Sequence, residues 1–310
     1  MAICPVCASL SNVYEKILGF EYFSCSGCGI LHIDTTVLQE IDAGKQIVEY
    51  SPEYWAMELS AAEERSRSVG IIRLAEAIFL CRRSVQNVVD IGSGTGRLLE
   101  QFEGLLPNNV RRIWGVELFP PPTDQRTKSA QYVVGTIGSM APMMFDAGLC
   151  MEVVEHLTPS MVLGMLKEIS ARSNDGACYV INTGLADFVR KEQPDYLDPT
   201  RRGHIVAWTV AAFNILGEPF GLTATALPGR AWAFLLEKTT NPADVESRLY
   251  APLSENMCFL ADGKDGMSLL STAAAEAVRG YFHQQLMLER TAWALDLEKQ
   301  LKAELSRHVI

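Results

Sequence analysis

The sequence predicts an α/β protein: a mostly parallel sheet covered by helices, with a small cysteine module before it and long helices after it. Three observations carry this. Strand-like and helix-like runs alternate from residue 87 to residue 237. A strand-like run ends in a glycine-rich turn at Val88-Val-Asp-Ile-Gly-Ser-Gly-Thr-Gly-Arg97. Two C-x2-C knuckles stand near the start. Alternating elements imply a parallel sheet with both faces covered. At 310 residues and 48% hydrophobic content, the chain can bury a sizeable core.

The knuckles are Cys4-Pro-Val-Cys7 and Cys25-Ser-Gly-Cys28, separated by 17 residues. Each puts two thiolates on one turn, and two turns complete a tetrahedral sulfur shell suited to Zn2+. Gly27 and Gly29 permit the tight backbone, and Val13 to Phe23 reads as a hairpin between the knuckles. The rival is a pair of redox dithiols or disulfides. A cytosolic redox motif is a single C-x-x-C beside a βαβ unit, which this is not. Four cysteines leave no open coordination position, so the expected role is structural. His32 is expected to pack at the ribbon edge, and Cys81, Cys150, Cys178 and Cys258 to act as buried small hydrophobes.

Residues 34 to 60 have no clear period; Tyr50, Tyr54 and Trp55 cluster around Pro52. Ala61 to Leu80 has helical spacing. The core then reads strand 87–91, helix 96–104, strand 112–116, strand 132–134, strand 146–150, helix 159–172, strand 177–182, helix 208–216 and strands near 222–226 and 232–237. The last two, joined by Pro228-Gly229, suggest an antiparallel edge pair. From Ser268 to Arg307 there is no proline, and acids and bases balance at five each. This reads as one or two amphipathic helices, suited to a homo-oligomer or partner contact or to packing on their own domain. The expected division is a ribbon at 1–35, a linker and helix at 36–82, a cofactor-binding core at 83–240 and a helical region at 241–310.

The net charge of −10 argues against a long polyanion as partner. No run of 18 uncharged apolar residues exists, so no membrane span is expected. The first residues lack the basic and apolar regions of a signal peptide, which suggests a cytoplasmic protein with reduced thiols.

Glycines 92, 94 and 96 let a cofactor approach the backbone. Their spacing is G-x-G-x-G, not the dinucleotide G-x-G-x-x-G. The next strand, Ile113-Trp-Gly-Val-Glu117, ends in an acid able to accept both hydroxyls of a ribose. Enzymes using NAD and those using S-adenosylmethionine share that device. The stretch Phe145-Asp-Ala-Gly-Leu-Cys-Met-Glu-Val-Val-Glu-His-Leu157 separates them. Together with Asp90 to Gly96 and Gly115-Val-Glu117, it resembles the class I S-adenosylmethionine-dependent methyltransferases over about residues 85 to 240.

That resemblance implies a Rossmann-like, seven-stranded sheet and methyl transfer from S-adenosylmethionine. Carried onto this chain, Asp90 closes the first strand, and Gly92, Ser93, Gly94 and Gly96 line the methionine and ribose side. Glu117 holds the ribose hydroxyls, Leu118 and Thr136 flank the adenine, and Cys150 and Met151 lie beneath the cofactor. The acid common in the family after the third strand is replaced here by Gly135-Thr136.

Methyl transfer requires an aligned acceptor that loses a proton. Glu152, Glu155 and His156 follow the fourth strand at helical offsets, and His204 comes 48 residues after His156. In one reading His156 or His204 is the base, with Glu155 in support. In a second, Glu152, Glu155, His156 and His204 bind a divalent cation, Mg2+ or Mn2+, that activates the hydroxyl. In a third, Glu155 and His156 only cap the turn and hold the cofactor loop. The ribbon, core and C-terminal Glu289-Arg-Thr-Ala-Trp-Ala-Leu-Asp-Leu-Glu298 also resemble bacterial methyltransferases of surface polysaccharide and deoxysugar synthesis. This implies a sugar hydroxyl as acceptor, in a nucleotide sugar or at a glycan terminus. Residues 195–202 would form an acceptor loop, Tyr196 stacking on the sugar and Arg201 and Arg202 meeting a diphosphate. The alternatives are 2′-O-methylation of an RNA terminus and an inactive zinc-ribbon interaction protein.

Overall fold

The computed structural model describes residues 1–48, 59–61, 63, 69–105, 112–191, 194–227, 231–242, 245–249, 280, 284 and 286–304. The Tyr50–Trp55 cluster, Cys258 and the Pro228-Gly229 turn lie outside them. The N-terminal strands β1 (Ala2–Ile3), β2 (Leu10–Ile17), β3 (Phe20–Cys25) and β4 (Leu31–Ile33) are antiparallel neighbours in that order. The expected hairpin is β2–β3. Helix α1 (Thr35–Asp42) follows, its first turn capped by Asp34, which accepts the Thr36 N–H at 2.7 Å.

The core contains α2 (Val69–Leu80), β5 (Val88–Ile91), α3 (Arg97–Leu105), β6 (Ile113–Glu117), β7 (Tyr132–Val134) and β8 (Phe145–Met151). It continues with α4 (Pro159–Arg172), β9 (Ser173–Asn182), α5 (Ala186–Lys191), β10 (Val206–Ala207), α6 (Val210–Gly217), β11 (Leu222–Ala226), β12 (Ala233–Lys238) and α7 (Val245–Leu249). Seven of these strands form one sheet in the order β11-β12-β9-β8-β5-β6-β7. Strands β5 to β9 are parallel, while β12 is antiparallel to β9 and β11 to β12. This is the methyltransferase-like fold the sequence led us to expect. The last strand, β12, inserts between β9 and β11, so of this pair β11 is the edge strand, and β7 is the edge on the other side. All four residues of β5 are buried, as befits a strand covered on both faces. One apolar cluster packs on each side of the sheet.

Local signals agree with these boundaries. Thr158 accepts the Met161 N–H at the start of α4, where Pro159 takes the first helical position. Thr209 does the same for α6 through the Ala212 N–H. Strand β10 leaves the core and pairs with β4, giving the N-terminal sheet a fifth strand.

The chain leaves β5 toward β6 and β7 and returns on the other side at β8. That reversal opens a crevice at the carboxyl ends of β5, β6 and β8, the usual ligand position in such sheets. At the far end, residues 286–304 form α8. It exposes Leu288, Trp293, Leu295 and Leu301. Among the described residues, no helix is long and apolar enough to cross a membrane.

Candidate active site

The three glycines after β5 all have positive φ, +74°, +56° and +77°, but differ in surroundings. A Cβ on Gly92 would sit 2.2 Å from Val153 Cγ2, and one on Gly96 2.2 Å from Thr127 Cγ2. A Cβ on Gly94 would meet nothing within 4 Å. Gly92 and Gly94 both line a cleft of about 370 Å³ at the crevice, and a side chain on Gly94 would project into its open space. Gly92 and Gly96 are therefore required by the protein's own packing, whereas Gly94 leaves room for something else.

Glu117 stands at the end of β6 and lines the same cleft. Its Oε2 accepts the Gly94 N–H at 2.7 Å and its Oε1 the Phe119 N–H at 2.8 Å. An ionised carboxylate offers about four lone-pair sites, so these two bonds fix the side chain and leave acceptor capacity for a diol. Asp90 is buried; its Oδ2 accepts from Ser93 Oγ at 2.9 Å, which shapes the loop. Burial pushes the Asp90 carboxyl up to about 7, with the Ser93 hydrogen bond opposing and the Glu117 charge adding.

The other expected cofactor contacts divide. Met151 lines the cleft. Cys150 is fully buried in β8, with its thiol pushed well up by burial, and is not in the cleft wall. Leu118 is 52% exposed, and its neighbour Phe119 lines the cleft instead. Thr136 caps a short 3-10 helix over Ile137–Met140.

Glu152, expected on the same turn as Glu155 and His156, lines the cleft but stands outside the cluster that Glu155 and His156 form with His204. Its φ of +55° breaks the helical offset, and its Oε1 accepts from Asn182 Nδ2 at 2.7 Å. Asn182 in turn accepts from Arg73 Nε at 2.8 Å, and Arg73 pairs with Glu76 in the core. The ligand atoms of Glu155, His156 and His204 come within 4.8 Å of one another. His156 lines the cleft, whereas Glu155 and His204 are buried behind it. The two imidazoles meet edge to face with centroids 4.9 Å apart.

His204 Nδ1 lies 2.7 Å from the Tyr196 carbonyl oxygen and donates to it, since a carbonyl only accepts. In the neutral ring Nε2 then carries the lone pair, 4.0 Å from Glu155 Oε1. Burial, reinforced by the neighbouring His156, pushes His204 down to about 3, so the ring is neutral. Burial raises the Glu155 carboxyl. Its Oε1 accepts from the Tyr196 hydroxyl at 3.1 Å, and its Oε2 is buried without a hydrogen-bond partner.

Tyr196 is thus a buried link, not a surface ring for stacking. Its hydroxyl also accepts the Gly184 N–H at 2.9 Å, and a Cβ on Gly184 would lie 2.6 Å from its ring. Arg201 is held by Asp198, whose carboxylate accepts its backbone N–H at 2.9 Å and its Nε at 3.2 Å. Sequence reasoning missed the opposite cleft wall. Ile41, Lys45 and Val48, from the segment without a period, line the cleft together with Leu157, Met161 and Ile205. The available signal was the glycine at 44, which follows α1 with φ +93° and turns the chain toward the cleft.

In the N-terminal module, Cys4 Sγ lies 3.6 Å from Cys28 Sγ, and Cys7 Sγ 3.4 Å from Cys25 Sγ. All four sulfurs fall within 4.8 Å of one another. Tetrahedral Zn–S bonds of about 2.3 Å put sulfurs roughly 3.8 Å apart, so the donor set fits Zn2+. The Val6, Gly27 and Cys28 N–H groups donate to the Cys4 and Cys25 sulfurs at 3.3–3.4 Å, favouring thiolates. The Cys28 thiol beside Cys4 helps hold it down at about 4. His32 is fully buried between Ile33 O and Ser11 Oγ, at 2.8 and 3.1 Å, as a packing residue.

No protein-family model matches the chain, and no curated protein matches it. Solved structures do. One is the S-adenosylmethionine-bound CalS10, an amino pentose methyltransferase from Micromonospora echinaspora involved in calicheamicin biosynthesis. It is 16% identical, with a TM-score of 0.43 over 62% of this chain and 98% of that one. Another is human N-acetylserotonin methyltransferase in complex with S-adenosylmethionine, 14% identical, with a TM-score of 0.41 over 59% of this chain and 55% of that one. A third is the neocarzinostatin O-methyltransferase NcsB1, 17% identical, with a TM-score of 0.42 over 59% and 57%. At these scores, function rests on the site's own chemistry.

Proposed function

We propose that the protein is an S-adenosylmethionine-dependent O-methyltransferase. The observation that carries this is the pairing of Gly94 and Glu117 at the cleft. A glycine with open space above it is hydrogen-bonded to a carboxylate that retains acceptor capacity. The Glu155, His156 and His204 cluster adjoins the same cleft. In this reading Gly92, Ser93, Gly94 and Gly96 form the loop against the cofactor, Glu117 takes its ribose hydroxyls and Met151 packs beside it. S-adenosylmethionine, when bound, supplies an electrophilic methyl group on a cationic sulfur.

The chain's own residues then align the acceptor hydroxyl and take its proton. His156, on the cleft wall, is the base; neutral His204 and buried Glu155 stand behind it. The Glu155 carboxylate stabilises the imidazolium that forms. A second reading is favoured by the buried, unpartnered Glu155 Oε2. Glu155, His156 and His204 make a two-histidine, one-carboxylate donor set for Mg2+ or Mn2+, which would lower the hydroxyl pKa. Glu152, whose Oε1 accepts from Asn182, is not among the ligand atoms that come together there. If chelator-treated protein with intact ribbon zinc keeps full activity while His156→Ala is inactive, the base reading stands. Loss of activity restored by Mg2+ or Mn2+ selects the metal.

For the acceptor we propose a sugar hydroxyl, in a nucleotide sugar or at a glycan terminus. The resemblance over most of the chain supports it, and the net charge of −10 disfavours an RNA end. The test is label transfer from methyl-labelled S-adenosylmethionine across a panel of nucleotide sugars and glycans. Label in a sugar methyl ether supports the reading. Cofactor binding without transfer to any hydroxyl compound would favour an inactive interaction protein.

A further inference from the structure

The segment that carries His204 is held from two sides. On one side the Ile205 N–H donates to the Glu155 carbonyl at 2.9 Å. On the other the Ile33 N–H, from β4, donates to the Ile205 carbonyl at 2.9 Å. The next residues, Val206 and Ala207, pair with His32 and Leu31. Tyr22, on β3, is fully buried and donates its hydroxyl to the His204 carbonyl at 2.7 Å. The Cys28 carbonyl, from the second knuckle, accepts from Thr209 Oγ1 at 2.7 Å. Without the N-terminal module, the His204 and Ile205 carbonyls would lose these buried partners, which costs more than the bonds are worth when made.

We propose that Tyr22 is a positioning residue for His204, so that the four-cysteine module is part of the active-site scaffold and not a separate binding unit. The value of this arrangement rests on the role given to His204 above; the arrangement itself does not. A hydroxyl-to-carbonyl bond at the His204 backbone sets where the imidazole stands relative to Glu155 and His156. Displacements near 1 Å at such groups cost on the order of a hundredfold in rate.

The module touches the core at a second place that serves as the control. Arg190 Nη2 donates to the Gly29 carbonyl at 2.7 Å and to Ser24 Oγ at 3.0 Å, and its side-chain hydrogen bonds reach no residue of the His204 segment. The experiment is the nitrogen spectrum of the histidine rings in the full chain, with the His204 signals assigned through His204→Asn. We expect Tyr22→Phe, which keeps the ring and removes the hydroxyl, to shift the His204 ring nitrogens. Arg190→Ala should leave them in place. Unmoved signals in Tyr22→Phe would overturn the proposal. So would equal shifts in both variants, since the effect would then belong to docking in general. Should Tyr22→Phe fail to fold, difluorotyrosine at position 22 keeps the packing and alters the donor; an unchanged His204 signal there would overturn it too. The spectrum is read without cofactor. Failure of the wild type to bind S-adenosylmethionine would therefore end the methyltransferase reading and leave this result standing.

Discussion

Replacing Gly94 by alanine separates the needs of a ligand from the needs of the fold. At φ +56° an alanine pays roughly 1–2 kcal/mol for the left-handed backbone. Part of this is offset, by about 0.4–1 kcal/mol, because alanine stiffens the unfolded chain. The added Cβ meets no protein atom within 4 Å, so no packing strain is added. The net cost to folding is about 1 kcal/mol, a fall in Tm of roughly 2–4 °C for a domain of this size. In the cleft the same methyl group stands where the cofactor would lie against the backbone. Overpacking of that kind costs about 1–3 kcal/mol, roughly a fivefold to 150-fold rise in Kd. Gly96→Ala should behave oppositely. Its Cβ would collide with Thr127 and crowd Tyr132, whose hydroxyl donates to the Gly94 carbonyl at 2.6 Å, so folding itself suffers. Thermal melts and calorimetry with S-adenosylmethionine on both variants make the comparison. The reasoning is refuted if Gly94→Ala binds the cofactor like the wild type, or if it loses as much stability as Gly96→Ala.

Two further outcomes are expected. Asp90, pushed up to about 7 by burial, keeps in the folded state a proton that the unfolded chain releases near pH 4. Its contribution to stability is therefore complete below pH 4, falls as pH rises from about 4 to 7 and is level above that, a difference on the order of a few kcal/mol. Denaturant unfolding at pH 5 and pH 8 should show a smaller downward slope in Asp90→Asn than in the wild type; equal slopes would contradict the assignment. Cys25→Ser should release zinc and destabilise the N-terminal module, as read by metal analysis and thermal unfolding. A wild-type protein purified with no zinc would contradict the sulfur-shell assignment.

The sequence made the sheet legible because its central strands are buried on both faces and read as short apolar runs. The Asp90-to-Gly96 loop and Glu117 were legible for a different reason, since their placement depends on local backbone and a strand end. What escaped depends on contacts distant in sequence. Nothing near Tyr196 announces that its ring fills the space above Gly184 and that its hydroxyl reaches Glu155. The Glu152 misplacement arose from assuming a regular helical turn where the backbone takes φ +55°. The sequence puts Cys150 and Met151 side by side, whereas strand alternation turns Met151 to the cleft and Cys150 to the core. The cysteine spacing identified a ribbon, but two-residue β10, which ties it to the His204 segment, is too short to carry a pattern.

The central claim is that the cleft at Gly94 and Glu117 is an S-adenosylmethionine site. The most direct measurement is calorimetry of the full chain with S-adenosylmethionine and NAD side by side, repeated on Glu117→Ala. We expect binding of S-adenosylmethionine in the micromolar range, none of NAD, and a loss of about tenfold or more in the variant, since a charge-assisted hydrogen bond contributes about 1.5–3 kcal/mol. No binding of S-adenosylmethionine at millimolar concentration, tighter binding of NAD, or unchanged affinity in Glu117→Ala would contradict the account.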